Sequence, residues 1–206
     1  MRGEKRRVTE NLNRRLIIGI SGASGAIYGI RLLEVLRTIS TIETHLIVTK
    51  AGERTIIEET DFSVGEVKAL ASVVHSPANV GASIASGSFR TAGMIVMPCS
   101  MHTVSAIAYC QSDNLLTRAA DVILKEGRKL VLVVRETPLH RGHLKSLWEA
   151  AETGAIILPP VPAFYGRPKT LDDIINHTVG RVLDLVGVEH DLLCRWGDSP
   201  AGRGRT

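Results

Sequence analysis

Short unbroken apolar runs alternate with stretches of helical period along this chain. Residues 16–20 form the first run, which stops at a Gly/Ser cluster; beyond it Ile27, Ile30, Leu33, Val35 and Leu36 recur at helical spacing. That order reads as strand, tight loop, helix. It returns with residues 45–49 and a helical stretch over about 51–59, and residues 94–97 lead through Pro98 into another loop. Further strands are expected at 130–134 and 155–158, and helices at about 115–129, 141–152 and 171–186. None of the strand runs alternates apolar with polar residues, so each is expected to be covered on both faces. Such strands separated by helices predict an α/β fold in three layers, a parallel sheet between two layers of helices.

Open sheets of this kind take ligands beyond the carboxyl ends of their strands. The loops at 21–25, 49, 98–103 and 135–138 should therefore converge on one crevice, and each is rich in polar residues. The proline-punctuated segment 158–168 is expected to be extended and not a domain linker, because a periodic helix follows it.

With 206 residues, 44% of them hydrophobic, the chain can bury one sizeable core. The expected organisation is a single domain over 16–196, between a disordered basic tail at 1–15 and a flexible C-terminus at 197–206. The tail holds Arg2, Lys5, Arg6, Arg7, Arg14 and Arg15 against Glu4 and Glu10, which is the whole of the formal charge of +4. The remainder is balanced, so nothing suggests a nucleic-acid face. Cys99, Cys110 and Cys194 are too scattered for a disulfide framework and point to a reducing cytoplasm. No apolar run approaches a membrane span, and no signal peptide is visible.

Residues 19–25, Gly-Ile-Ser-Gly-Ala-Ser-Gly, follow a strand and open a helix. Exposed backbone N–H groups and the helix dipole attract an anion there, and a phosphate is the natural guest. The G-x-x-G-x-x-G spacing is not the dinucleotide fingerprint, and the second strand ends in Thr49-Lys50 where a ribose-binding acid would stand, which disfavours NAD. Ser21 and Ser24 add hydroxyls suited to a monophosphate or a flavin edge, unless the loop is simply a glycine-rich turn. In the run from Pro98 to Thr103, Ser100 and Thr103 either cap the next helix or bind ligand. Cys99 reads as a small buried residue, with no partner base in view.

Arg135 and Glu136 stand directly after a strongly apolar strand, at the crevice rim, where charge is costly unless partnered; that placement favours a functional role. Glu59 ends the second helix and reads by default as a solvated carboxylate. Arg118 and Lys125, seven residues apart, share a helix face, and Arg181 sits on the last helix. Each alone would be a surface charge. His140 and His143 lack the carboxylate or cysteine partners of a metal site, and no metal is expected.

Together these residues resemble the UbiX family of flavin prenyltransferases, within the wider fold group of flavin-dependent cysteine decarboxylases. The likeness covers about residues 16–196. It rests on Gly19-Ile-Ser-Gly-Ala-Ser-Gly-Ala-Ile-Tyr-Gly29, Pro98-Cys-Ser-Met101, Arg118-Ala-Ala-Asp-Val-Ile-Leu-Lys-Glu126, Arg135-Glu-Thr-Pro-Leu139, Pro159-Pro-Val-Pro-Ala-Phe-Tyr165, Arg181-Val-Leu-Asp184 and Arg195-Trp-Gly197. The resemblance implies a Rossmann-like, flavodoxin-like sheet with FMN held by Gly22, Ala23, Ser24, Thr49, Ser100, Met101, His102, Thr103 and Arg135. It implies that Tyr165 and Arg181, with Lys125 and Arg118, hold dimethylallyl monophosphate. A cytoplasmic homo-dodecamer, handing prenylated FMN to a UbiD-type decarboxylase, is implied as well. Thr49 departs from the serine common in the family and keeps the hydroxyl.

The implied reaction joins a dimethylallyl group to N5 and C6 of reduced FMN without a metal. Basic side chains and Tyr165 would stabilise the departing phosphate oxygens. Glu136, with Glu59 and Ser24, would handle the proton lost from C6. An apolar wall, with Trp196 and a neighbouring subunit, would keep water from the allylic cation. The rival readings are an FMN-dependent decarboxylase of the same fold, acting on an aromatic acid or a cysteine-type substrate, and an FMN-carrying accessory subunit. The basic set expected beside the flavin argues against the decarboxylase.

Overall fold

In the computed structural model, which describes residues 14–193, one six-stranded parallel sheet runs through the molecule. Its strands are β1 (Arg14–Ile20), β2 (Ile42–Val48), β3 (Val73–His75), β4 (Gly93–Cys99), β5 (Lys129–Val134) and β6 (Ile156–Ile157), in the spatial order β3-β2-β1-β4-β5-β6. The order reverses between β1 and β4, which pair in parallel from Leu16 beside Gly93 to Gly19 beside Val96. The crevice that such a sheet offers a ligand therefore opens beyond the carboxyl ends of these two strands.

Among the described residues seven α-helices flank the sheet: α1 (Ala26–Arg37), α2 (Lys50–Glu59), α3 (Val64–Ala69), α4 (Met101–Ala108), α5 (Leu115–Lys125), α6 (Arg141–Glu152) and α7 (Leu171–Val186). Alternate residues along each strand point to opposite faces, and the core divides accordingly. Ile18, Ile20 and Val133 pack with α1 and α7, whereas Ile17, Val96 and Leu132 pack with α4 and α5. These are the two helical layers expected from strands without polar alternation. No helix among the described residues is long and apolar enough to cross a membrane.

The departures from the sequence pattern have local causes. β3 is a three-residue edge strand with a half-exposed pattern, too short to register as a period. α5 stops at Lys125, because Gly127 takes a left-handed φ of 64° and residues 126–128 turn the chain into β5. Segment 158–168 is not extended throughout: residues Phe164–Gly166 close a 3-10 turn. Arg14 and Arg15 belong to β1 and not to a tail. The Arg14 guanidinium donates to the carbonyls of Val186 and Gly187 at 3.1 and 2.9 Å, placing a cation at the negative end of α7. The rest of the expected tail and Trp196 lie outside the described residues.

Candidate functional site

Backbone hydrogen bonds stitch the loops beyond four strands together. Thr49 donates its N–H to Ile20 at 3.0 Å, Ser21 to Pro98 at 3.1 Å and Arg135 to Cys99 at 3.2 Å. The buried Ser21 hydroxyl completes the seam, donating to the Pro98 carbonyl at 3.0 Å and accepting from the Ser100 N–H at 2.8 Å. Ser21 is thus a structural tie between the β1 and β4 loops and not the ligand donor its sequence position suggests.

The loop at 21–25 turns tightly against α2. A side chain at Gly22 would land on Ala51, and Gly25, at φ 100°, takes a conformation that favours glycine. The positive end of α1 is already occupied. The Glu59 carboxylate, reaching over from the end of α2, accepts from the Gly25 N–H at 2.7 Å and the Ala26 N–H at 3.2 Å. Burial works to raise the pKa of that carboxyl. Hydrogen bonds from Gly25, Ser24 and Ala26, with the charge of Arg135, outweigh it and hold the group below the ordinary glutamate value. Two expectations change. The anion at these α1 amides is a protein carboxylate and not a ligand phosphate, and Glu59, though exposed as expected, is partnered by those amides.

Anion-binding capacity remains at α2 and α4. Thr49 caps α2 by accepting from the Gly52 N–H at 3.0 Å, which leaves its own hydroxyl hydrogen to donate. Ser100 caps α4 by accepting from the Thr103 N–H at 3.3 Å, and its oxygen lies 3.1 Å from the Thr103 hydroxyl. The Met101 and His102 N–H groups have no helical carbonyl to meet. Met101 and Thr103 are buried and His102 is exposed. Cys99 is fully buried and its thiol is pushed well up, so it packs as an inert side chain.

Arg135 and Glu136 are exposed at the end of β5 in the single chain, so the cost of burial invoked from sequence does not act there. Arg135 lies within electrostatic reach of Glu59. Glu136 accepts the Thr137 N–H at 3.1 Å.

The residues expected to hold a prenyl phosphate fall into two separate sets. Tyr165 and Arg181 are on the α7 side: the Tyr165 hydroxyl lies 3.0 Å from Nε2 of His177, one helical turn before Arg181, and Arg181 pairs with Asp184 at 3.1 Å. Arg118 and Lys125 are on α5, across the sheet, paired with Asp121 at 2.8 Å and Glu126 at 3.3 Å. Lys125 ends α5 just before the amino end of β5, at the opposite end of the strands from the crevice. One chain therefore does not bring Lys125 together with Tyr165 and Arg181, contrary to expectation; the sheet stands between them. His177 is the member of this region that sequence reading misses, because its partner is twelve residues away across a loop.

The His140 and His143 rings lie against each other with centroids 3.6 Å apart and planes tilted by 33°. Among the described residues no group of three or more His, Cys, Asp or Glu side chains is placed to hold a metal ion.

The chain matches the family model for flavoproteins over residues 4–183. It is 60% identical over 185 residues to the flavin prenyltransferase UbiX of Escherichia coli (strain K12), covering 89% of this chain and 98% of that protein. Among solved structures it resembles AnUbiX (PadA1) in complex with FMN and dimethylallyl pyrophosphate, with a TM-score of 0.88, 47% identity and coverage of 90% and 98% of the two chains. It also resembles a dodecameric FMN-dependent UbiX-like decarboxylase from Escherichia coli O157:H7, with a TM-score of 0.87, 51% identity and coverage of 88% and 98%.

Proposed function

Because the chain belongs to the flavoprotein family and, within it, to the UbiX flavin prenyltransferases, we propose that the crevice between β1 and β4 binds reduced FMN beside dimethylallyl monophosphate. The observation that carries this reading is the donor set around the crevice. The hydroxyls of Ser24, Thr49, Ser100 and Thr103, the first N–H groups of α4 and the Arg135 guanidinium suit one phosphate-bearing aromatic group. Gly22 and Ala23 form the floor of the same loop.

Reduced FMN supplies the nucleophilic N5 and C6 positions; binding, charge and proton handling fall to the chain. Tyr165 and the Arg181 and Lys125 cations, with Arg118, neutralise the phosphate oxygens as the allylic C–O bond breaks. Glu136, in solvent reach and close to the crevice, takes the proton lost from C6. Glu59 is held ionised by the α1 amides and Arg135, so its part is to fix the 21–25 loop and Arg135, and Ser24 completes that contact.

Since the α5 cations and the α7 pair face opposite sides of one sheet, a full prenyl-phosphate site needs α5 of one copy beside α7 of another. We therefore take the working form to be a homo-oligomer, a dodecamer as in the E. coli O157:H7 relative. The enzyme would act in the cytoplasm and pass prenylated FMN to a UbiD-type decarboxylase. Titration of dimethylallyl monophosphate into the FMN-loaded protein tests the reading. Saturable binding weakened by R181A is expected, and no binding by the wild type would favour the decarboxylase alternative.

A further inference from the structure

The polar side chain in contact with the expected phosphate-binding residues, yet given no role so far, is His177. Its Nε2 lies 3.0 Å from the Tyr165 hydroxyl, and the two rings meet edge to face at 5.7 Å and 78°. Burial and then the nearby Arg181 charge lower the His177 pKa, so the imidazole is neutral at neutral pH. The ring also lines a polar cavity of about 310 Å³ with Arg167, Lys169, Asp173 and Asn176.

Tyr165 sits on a half-exposed 3-10 turn, and a phenol hydroxyl both donates and accepts, its hydrogen taking either of two in-plane orientations. To stabilise a phosphate oxygen it must donate, and it cannot do so while donating to an imidazole nitrogen. A neutral imidazole carries one N–H and one bare nitrogen. If the N–H is on Nε2, the ring donates to the phenol oxygen and the tyrosine hydrogen is turned away from the imidazole, in the sense needed to donate to a phosphate oxygen on the Arg181 side.

We propose that His177 is a positioning residue for the prenyl-phosphate site, fixing Tyr165 as a hydrogen-bond donor to the phosphate by giving its own Nε2–H to the phenol oxygen. The inference rests on the assignment of Tyr165 and Arg181 to that phosphate. The role proposed for His177 runs through Tyr165, so its loss should be felt in phosphate binding and not in flavin binding.

The experiment measures KM for dimethylallyl monophosphate, kcat for flavin conversion and FMN affinity in the full-length enzyme carrying H177F, H177L, H177Q, Y165F or Y165F with H177F. Losing one neutral hydrogen bond that orients a donor should raise KM about 3- to 10-fold with kcat within about twofold. FMN affinity should be unchanged. H177Q, whose amide N–H can stand where Nε2–H stood, should restore most of the affinity, and the double variant should be no worse than Y165F alone. The proposal is overturned if H177F and H177L bind the substrate as the wild type does, if H177Q is as impaired as H177L, or if the two losses add. H177L keeps the test open where H177F does not assemble. Wild-type protein that makes no prenylated flavin would instead overturn the underlying reading.

Discussion

Oε2 of Glu59 accepts a 2.7 Å hydrogen bond from the backbone N–H of Gly25. The last residue of one helix thus caps the first turn of another and locks the loop that floors the crevice. Because the folded-state pKa of Glu59 lies below the ordinary 4.5, its stabilisation is fully present above the unfolded value and is lost as pH falls through the folded one. E59Q should lower stability by about 1 kcal/mol at pH 7, the typical worth of a helix cap. Denaturant melts of the two proteins should converge as pH drops below 4.5. A constant difference across that range would remove the charge from the account.

Ser21 joins two loops through a single buried hydroxyl. S21A leaves the Pro98 carbonyl and the Ser100 N–H without that partner, which should cost about 2 kcal/mol. Equilibrium unfolding measures it, and FMN affinity should fall as the 98–103 loop loosens. Stability equal to wild type would mean that water replaces the hydroxyl without penalty.

Placing Lys125 and Arg181 on opposite sides of the sheet predicts complementation. K125A and R181A should each be nearly inactive alone, yet co-expressed in equal amounts they should recover roughly a quarter of the sites, those drawing each group from the intact copy. Flavin conversion by the purified hybrid is the readout. Recovery absent from verified mixed oligomers would put both groups in one protomer's site.

Glu136 stands at the crevice rim with a carboxylate engaged only by its neighbour's N–H among the described hydrogen bonds. E136Q should bind FMN as tightly as wild type and slow adduct formation by about 100-fold or more in a single turnover, the usual span for a lost general base. Unchanged single-turnover kinetics would take Glu136 out of proton transfer.

The sheet was readable from sequence because buried parallel strands print as unbroken apolar runs, and the helices 141–152 and 171–186 coincide with their hydrophobic periods. The loops at the strand ends were readable for the same reason. What each loop residue does was not. Ser21 and Ser24 look alike in sequence, yet one is sealed into a seam and the other faces solvent beside Glu59. Glu59 has no local signal, since its partner lies 34 residues earlier. Arg118 and Lys125 share a helix face as their spacing requires, but only the three-dimensional layering shows that this face is turned away from Tyr165. Those facts depend on which side of the sheet a helix takes, which no short window of residues encodes.

The central claim is most directly tested by incubating the purified protein anaerobically with reduced FMN and dimethylallyl monophosphate in the presence of a chelator, then weighing the released flavin by mass spectrometry. The account predicts a flavin heavier by one C5 prenyl unit. Unmodified FMN recovered from protein that binds both molecules would contradict it.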